Sequence, residues 1–140
     1  MPPEKFTTDF FNTRGINALP GHLGIKVTGV GVGKVEAELL VVPHLLAPNG
    51  YLHAGSVITL ADTCAGYGSL SNLPEGATGF TTIELKSNHL GTAREGRIKC
   101  IATAAHLGKS TQVWDAIVTH NDTGKTIALF RCTQIVLYPK

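Results

Sequence analysis

The sequence carries little charge and no run of one sign. Its 12 Lys and Arg residues against 10 Asp and Glu residues give a formal net charge of +2, and the basic residues are scattered along the chain. A surface that binds nucleic acid needs basic residues gathered on one face. We therefore expect no nucleic acid among the partners of this protein.

Cysteine is scarce, with three residues that form no Cys-x-x-Cys pair and no Cys/His ligand spacing: Cys64, Cys100 and Cys132. An odd number of dispersed cysteines is typical of a reduced interior in which the thiol serves as a small apolar side chain. The six histidines are equally dispersed. We expect no disulfide, no metal site and no cofactor.

Long apolar segments are also missing. The opening residues 1–5 have no apolar run behind a positive cap, and the longest apolar stretch is interrupted by Asp62. Secretory signals and membrane spans both need an uninterrupted run. The expectation is a soluble, cytoplasmic protein with no membrane partner.

The residues that are present predict one domain over 1–140, because a chain of 140 residues can bury a core of its own. Phe6 and Phe10 have the spacing of one helix face, and Gly15 is a suitable end for that helix. We expect residues 1–20 to form this short helix and a lead-in to the rest of the domain.

Segments with the residue pattern of β-strands make up most of the remaining chain. The segments are 24–42, with a hairpin turn over 31–34, and then 80–89, 96–107, 111–121 and 125–137, which we expect to form a meander. Strands grouped apart from helices indicate an α+β fold with an antiparallel sheet of five to six strands. Such a sheet leaves an edge that a second copy of the chain can cover.

One segment differs from all others, the stretch from Asn49 to Leu70. Its second part has helical length and small or apolar residues on every side, which predicts a helix buried inside the sheet. Asp62 interrupts it with no Lys or Arg within eight residues on either side. Either Asp62 is satisfied by a structural hydrogen bond, or it faces a cleft with a perturbed pKa suited to base or nucleophile chemistry.

The entry into this helix favours the second interpretation. Asn49 and Gly50 predict a turn, and His53, Ala54 and Gly55 lead into the helix. Free N–H groups at a helix start can hold an oxygen that is gaining negative charge. An oxyanion site and a carboxylate on one element are the minimum for acyl transfer.

The order of these residues resembles a known family. Asn-Gly-Tyr-Leu-His-Ala-Gly-Ser-Val-Ile-Thr-Leu-Ala-Asp ends at Asp62, and Thr-Thr-Ile-Glu-Leu-Lys-Ser-Asn-His-Leu-Gly-Thr-Ala begins at Thr81. From residue 23 or so to the end, the chain is similar to the hotdog-fold acyl-CoA thioesterases, most closely the phenylacetate-degradation (PaaI-like) branch and its thioesterase superfamily member 2 type. The resemblance implies one long helix wrapped by the sheet, a homodimer usually paired into a homotetramer, and hydrolysis of aryl- or fatty acyl-CoA at the dimer interface.

The resemblance also assigns roles. It makes Asp62 the nucleophile or general base, the Ala54 and Gly55 amides the oxyanion donors, and Asn49 the group that positions the water or the carbonyl. His53 supports the loop or touches the thioester. The hydroxyl residue on the next strand, which the resemblance implies is contributed from the partner subunit, is Thr82, or Thr81 if the register slips by one. The family most often has Gly where this chain has Ala54, whose methyl group narrows the approach.

Four further side chains are candidates for substrate binding: Tyr67 for the acyl group, and Arg94, Lys109 and Lys125 for the CoA phosphates. Their alternative roles are core packing and an ordinary solvated surface. A Gly-x-Ser-x-Gly elbow is absent, so a serine hydrolase mechanism is not indicated. Two rival functions stay open, a hotdog enoyl- or hydroxyacyl-CoA hydratase-dehydratase and an acyl-CoA-binding protein without activity.

Overall fold

The computed structural model describes residues 4–140, and its first element is the short helix α1. This helix spans Thr8–Arg14 and ends at Gly15, so it is shorter than the predicted one but ends at the predicted glycine. A second helix, α2, spans Leu19–Leu23 and was not predicted. Gly24 ends α2 with a φ of 85°, a conformation that glycine adopts without strain.

Six antiparallel strands form one sheet. They are β1 (Lys26–Gly31), β2 (Lys34–Leu40), β3 (Gly79–His89), β4 (Arg97–Leu107), β5 (Thr111–His120) and β6 (Thr126–Leu137). The last four strands begin and end within one residue of the predicted bounds. The predicted hairpin is also confirmed, because β1 pairs with β2 across the intervening turn. The α+β prediction with six strands is therefore correct.

The predicted meander holds only for part of the sheet. The strand order is β1-β2-β4-β5-β6-β3, so β4, β5 and β6 are consecutive neighbours. β3 lies at the far edge and pairs with β6 over its whole length, not with β4. The prediction of a four-strand meander was wrong here because neighbouring strands in sequence need not pair when a connection as long as residues 90–96 separates them.

The long helix α3, Ala54–Ser71, packs on the inner face of the sheet. Trp114, fully buried on β5, lies against Gly68 of α3. A Cβ at Gly68 would come within 2.5 Å of the indole ring, so glycine allows the close approach of helix and sheet. The predicted burial of the helix is confirmed for this face.

The opposite face of α3 is only half-buried in the single chain. Asp62, Gly66 and Tyr67 lie there. Helix α1 covers part of this face, where the ring of Phe11 stacks on Tyr67 with centroids 4.4 Å apart. A stripe of α3 next to β3 is therefore open to a ligand or to another chain. Within residues 4–140, no helix is long and apolar enough to cross a membrane.

The two edges of the sheet end differently. On β1, the Val27 N–H donates to Asn12 Oδ1 at 2.8 Å, and Asn12 Nδ2 donates to the Val27 carbonyl at 3.0 Å. On β3, nearly every residue from Thr81 onward is exposed, including Ile83 at 54%. The β1 edge is thus capped by the chain itself, while the β3 edge is bare.

Candidate active site

The start of α3 forms the first part of the site. Gly50, with a φ of 87°, makes the predicted turn, and the Tyr51 N–H donates to Asn49 Oδ1 at 3.1 Å. His53 caps the helix, because its Nδ1 accepts from the Gly55 N–H at 2.7 Å. The acceptor at Nδ1 places the proton of a neutral imidazole on Nε2.

This cap changes the predicted oxyanion site. The Gly55 N–H is already committed to His53, so it does not face a ligand as expected. The Ala54 N–H has no acceptor within the described part of the chain, and it lies at the positive end of the helix dipole. The structure therefore offers one free amide, that of Ala54, where the sequence predicted two.

A cavity of about 420 Å³ opens at this helix end, and we call it the Ala54 cavity. Its lining residues are Ala47, Asn49, Tyr51, Leu52, Ala54, Val57, His89, Gly91 and Thr92. Asn49 and Ala54 are thus brought together as predicted. His89, an exposed residue of the edge strand β3, also lines this cavity.

A second cavity, of about 230 Å³, contains Asp62, and we call it the Asp62 cavity. It is lined by Arg14, Pro20, Asp62, Thr63, Gly66, Tyr67, Leu70, Phe80 and Thr82. The walls are mostly apolar, and the buried Asp62 Oδ1 has no hydrogen-bond partner in the part of the chain that the structure describes. Desolvation by burial raises the pKa of the Asp62 carboxyl, because the charged form loses water without gaining a donor.

Strand register decides between the two threonines of β3. Thr82 pairs with the buried Gln134 of β6 and therefore lies on the inner face, where it lines the Asp62 cavity. Thr81 pairs with Ile135, which is exposed on the outer face of the sheet. Of the two alternatives, only Thr82 shares a cavity with Asp62.

The two cavities have no lining residue in common. Asp62 follows Ala54 by eight residues, which is about 12 Å along a helix axis at 1.5 Å per residue. The carbon and oxygen atoms of a thioester carbonyl lie much closer together than these roughly 12 Å. Within one chain, the carboxylate and the free amide therefore cannot act on the same carbonyl.

The predicted substrate-binding residues are dispersed. Tyr67 lines the Asp62 cavity, as expected for a residue that contacts the acyl group. The Arg94 guanidinium lies 5.0 Å from the ring centroid of Tyr51 and lines a polar hollow that also contains Lys125. Lys109 lies elsewhere, in a surface hollow with Glu75 and Tyr138. The structure therefore separates Lys109 from the other candidates.

Two residues that line the cavities could not be predicted from the sequence, each for a physical reason. His89 lies seven residues after Thr82, a spacing that places residues on opposite faces of a regular strand. A bulge between Thr82 and Glu84 shifts the alternation by one, so both side chains reach the inner face. Arg14 reaches the Asp62 cavity from α1, a tertiary contact with no local signal.

No group of three or more His, Cys, Asp or Glu side chains within residues 4–140 is arranged to hold a metal ion. The three cysteines are buried free thiols.

Known proteins are similar to this chain in fold and sequence. A mutant thioesterase from Pseudomonas aeruginosa superposes with a TM-score of 0.91 at 28% identity, over 97% of each chain. A 1,4-dihydroxy-2-naphthoyl-CoA hydrolase from Listeria monocytogenes is 35% identical over 79% of this chain and 89% of its own length. The enzyme of the same name from Escherichia coli is 30% identical over 95% of this chain and 96% of its own length.

The sheet wrapped on α3, with these relatives, defines the class of the protein as a thioester hydrolase of the hotdog fold. The sequence profile of the Thioesterase superfamily matches residues 49–127. This range includes all the residues of α3 and β3 that line the two cavities. The chain belongs to the Thioesterase superfamily. The relatives named above do not bear on the phenylacetate-degradation branch, so that placement stays a prediction.

Proposed function

We propose that the protein is an acyl-CoA thioesterase that hydrolyses aryl- or fatty acyl-CoA to the free acid and CoA. The observation that carries the proposal is the Asp62 carboxylate, which is unpartnered in a mostly apolar cavity. Desolvation raises its pKa and so makes it a better proton acceptor than an exposed aspartate. Two relatives are named for the hydrolysis of a CoA thioester, which supports the same substrate class.

The second step of the proposal is that each site lies between two copies of the chain. Ala54 and Asp62 of one α3 are too far apart to act on one carbonyl. A two-fold axis between antiparallel helices brings the Ala54 end of one helix near the Asp62 of its partner. Two equivalent sites then form in each homodimer, each with an amide from one copy and a carboxylate from the other.

The bare β3 edge supports the same dimer. Its eleven residues are unpaired on one side, and Ile83 and Leu85 are exposed at 54% and 40% in the single chain. Antiparallel addition of a second β3 would pair the free backbone groups and cover these side chains. Thr82 and the Asp62 cavity lie along this edge, so the same contact would enclose the site.

A homotetramer stays a prediction, and the outer face of the sheet supplies a surface for it. Ile101, Ile117 and Leu129 lie in one row across β4, β5 and β6. Ile117 and Leu129 are 48% and 42% exposed. A second dimer packed on this row would remove these aliphatic side chains from water.

The chemistry follows from the two groups. The oxygen of a water molecule bonds to the thioester carbonyl carbon while Asp62 accepts its proton. The carbonyl electrons move onto oxygen, which the Ala54 N–H stabilises. Collapse breaks the C–S bond, and the CoA thiolate takes the proton from Asp62. In the alternative route, Asp62 attacks directly, CoA leaves, and water hydrolyses the resulting anhydride.

The CoA moiety has a polar path next to the Ala54 cavity. Gly91 and Thr92 line both that cavity and the hollow that contains Arg94 and Lys125. A pantetheine arm that leaves the carbonyl through the Ala54 cavity would therefore bring the CoA phosphates toward Arg94 and Lys125. Arginine is well suited to bidentate phosphate contacts.

The hydratase alternative finds no support in the geometry of a single chain. A hydratase of this fold would need a histidine beside the acid, and within one chain the residues that line the Asp62 cavity include none.

Thiol release from a panel of aryl and straight-chain acyl-CoAs tests the proposal. We expect Asp62→Asn to lower kcat at least about 1,000-fold. Ala54→Pro should lower it about 100-fold, because proline is tolerated at the first helical position and removes only the N–H. Asp115→Asn, on the outer face of the sheet, is the control and should keep full activity. Full activity of Asp62→Asn would refute the catalytic assignment.

A further inference from the structure

A row of polar side chains crosses the inner face of the sheet behind the Asp62 cavity. Gln112 of β5 pairs with Gln134 of β6, which in turn pairs with Thr82 of β3. Both glutamines are fully buried. Polar groups at such positions cost free energy unless they are hydrogen-bonded, so each member of the row needs an explanation.

Gln112 has a complete structural explanation. Its Oε1 accepts from the Trp114 indole N–H at 2.9 Å, and its Nε2 donates to the Asn72 carbonyl at the end of α3, also at 2.9 Å. The side chain therefore satisfies the indole and ties the end of α3 to the sheet.

Gln134 differs from its neighbour. Its Oε1 accepts from the Thr82 hydroxyl at 2.5 Å, whereas its buried Nε2 has no partner among residues 4–140. An unpartnered buried amide is destabilising, and an apolar side chain of the same size would avoid that cost. The fold therefore does not account for Gln134, and its one hydrogen bond points toward the site.

That bond fixes the direction of the Thr82 hydroxyl. A threonine has one O–H, and here it donates to Gln134. The hydroxyl oxygen thus keeps only acceptor capacity for the Asp62 cavity, which Thr82 lines. Asp62 lines the same cavity, and its buried Oδ1 has no donor among residues 4–140. Thr82 and Asp62 therefore both act as acceptors toward the cavity, so a water molecule held there can donate one hydrogen to each.

We propose that Gln134 is a positioning residue for hydrolysis: it holds the Thr82 hydroxyl as an acceptor, so that Thr82 and Asp62 each take one hydrogen of the attacking water. This inference rests on the proposed thioesterase function and selects the route in which Asp62 acts as general base. The water oxygen then presents a lone pair to the thioester carbonyl, its proton passes to Asp62, and Thr82 keeps its own proton.

Loss of the Gln134 acceptor has a defined consequence. The Thr82 hydroxyl would be free to rotate and donate into the cavity, and a donor that points into the cavity would stabilise the charged form of Asp62 and lower the pKa of that group. Asp62 would become a weaker base and the water would lose one of its two acceptors. The other ionisable side chains near Asp62 are Arg14 and Tyr67 in the cavity and Cys132, whose own pKa is raised to about 12 by desolvation first and by Asp62 second.

Gln134→Met tests the inference in the full-length protein, with benzoyl-CoA and octanoyl-CoA as substrates. We expect kcat to fall 10- to 100-fold with little change in KM, and the acid limb of the kcat profile to move to lower pH. Thermal stability should stay equal or rise, because methionine removes the unpartnered amide without leaving a cavity. A residue with only a structural role would show the opposite, with lower stability and an unmoved acid limb.

Gln112→Met is the matched control, since it changes the neighbouring glutamine of the same row. It should lower the melting temperature, because it unpairs the Trp114 N–H and the Asn72 carbonyl, and it should leave the acid limb in place.

A double-variant cycle shows whether Gln134 acts through Thr82. Thr82→Ser keeps the hydroxyl and should keep the response to Gln134→Met, while in Thr82→Val, which lacks the hydroxyl, the change Gln134→Met should have no further effect on kcat. An additional loss in the Thr82→Val background, or an unmoved acid limb in Gln134→Met, overturns the inference. Either result leaves the proposed function intact, which fails only if Asp62→Asn retains turnover.

Discussion

The two edge strands of the sheet, β1 and β3, differ in length and in how their free backbone groups are satisfied. β1 is six residues long, and Asn12 of α1 binds both backbone groups of Val27. β3 has eleven residues, most of them exposed. The chain closes one edge with its own side chain and leaves the other open. Thr82 of the open edge lines the same cavity as Asp62.

Among the variants that compare the two edges, the largest effect should come from a charge on the open edge. Ile83→Asp places a carboxylate at a 54% exposed position of β3, where a two-fold dimer would oppose it with its own copy. We expect a monomer by light scattering and a loss of thioesterase activity of about 100-fold, because the two halves of each site separate.

Val32→Asp is the matched control for this change. Val32 is 60% exposed in the turn beside β1 and has a β-branched side chain like Ile83. It should leave both the assembly and the activity unchanged. A dimer of Ile83→Asp with full activity would show that β3 is not the pairing edge.

A smaller effect, on KM alone, should come from a variant near the Ala54 end of α3. Arg94→Ala removes the guanidinium that lies over Tyr51 near the Ala54 cavity. We expect KM for acyl-CoA to rise about tenfold with little change in kcat, and the dependence of KM on salt to weaken. Lys109→Ala is the control, because Lys109 lies in a separate hollow. Equal effects of the two variants would argue against phosphate binding at Arg94.

The closed edge should respond in stability alone. Asn12→Ala leaves the Val27 N–H and carbonyl without partners and should cost about 1 to 3 kcal/mol of unfolding free energy. Denaturant unfolding measures this loss, and kcat should stay at the wild-type value. Asn17→Ala, at an exposed position of the neighbouring loop, should change neither quantity. A loss of dimer in Asn12→Ala would contradict the division between the edges.

The smallest effects concern two carboxylates with opposite pKa shifts. Burial raises the pKa of Asp62, so the folded state binds its proton more tightly than the unfolded state. The unfolding free energy therefore falls as pH rises from the unfolded pKa through the raised folded value, and then levels off. Asp62→Asn should remove this decline and raise the melting temperature at neutral pH.

Asp115 provides the contrast on the outer face. The hydrogen bonds from Arg131, at 2.5 and 2.8 Å, lower the pKa of Asp115. Its contribution is present above the unfolded pKa and is lost as pH falls through the lowered folded value. Since the pair is largely exposed, the effect should be small and should weaken in salt. Melting curves of the two Asn variants across acid pH should thus diverge in opposite directions.

Local pattern explains what the sequence could predict. Alternation of apolar residues, bounded by glycine turns, placed β3 to β6 within one residue of their observed ends. The run of small and apolar residues on both sides of Asp62 predicted α3. These patterns involve residues only a few positions apart, so they can be recognised directly in the sequence.

Nonlocal contacts explain what it could not predict. The pairing of β3 with β6 joins Thr82 to Gln134, 52 residues apart, and no local signal marks it. The His53 bond to the Gly55 N–H depends on one side-chain rotamer. The bulge after Thr82 that moves His89 to the inner face is likewise invisible in the residue pattern.

The spacing of Ala54 and Asp62 on one helix has a genetic consequence. If each centre borrows its amide from one copy and its carboxylate from the other, A54P and D62N damage different halves of a centre. A hybrid of the two inactive parents collects both lesions in one centre and leaves the other whole. Random exchange of subunits should then restore about a quarter of the normal rate from two silent proteins, a case of complementation between alleles of a single gene.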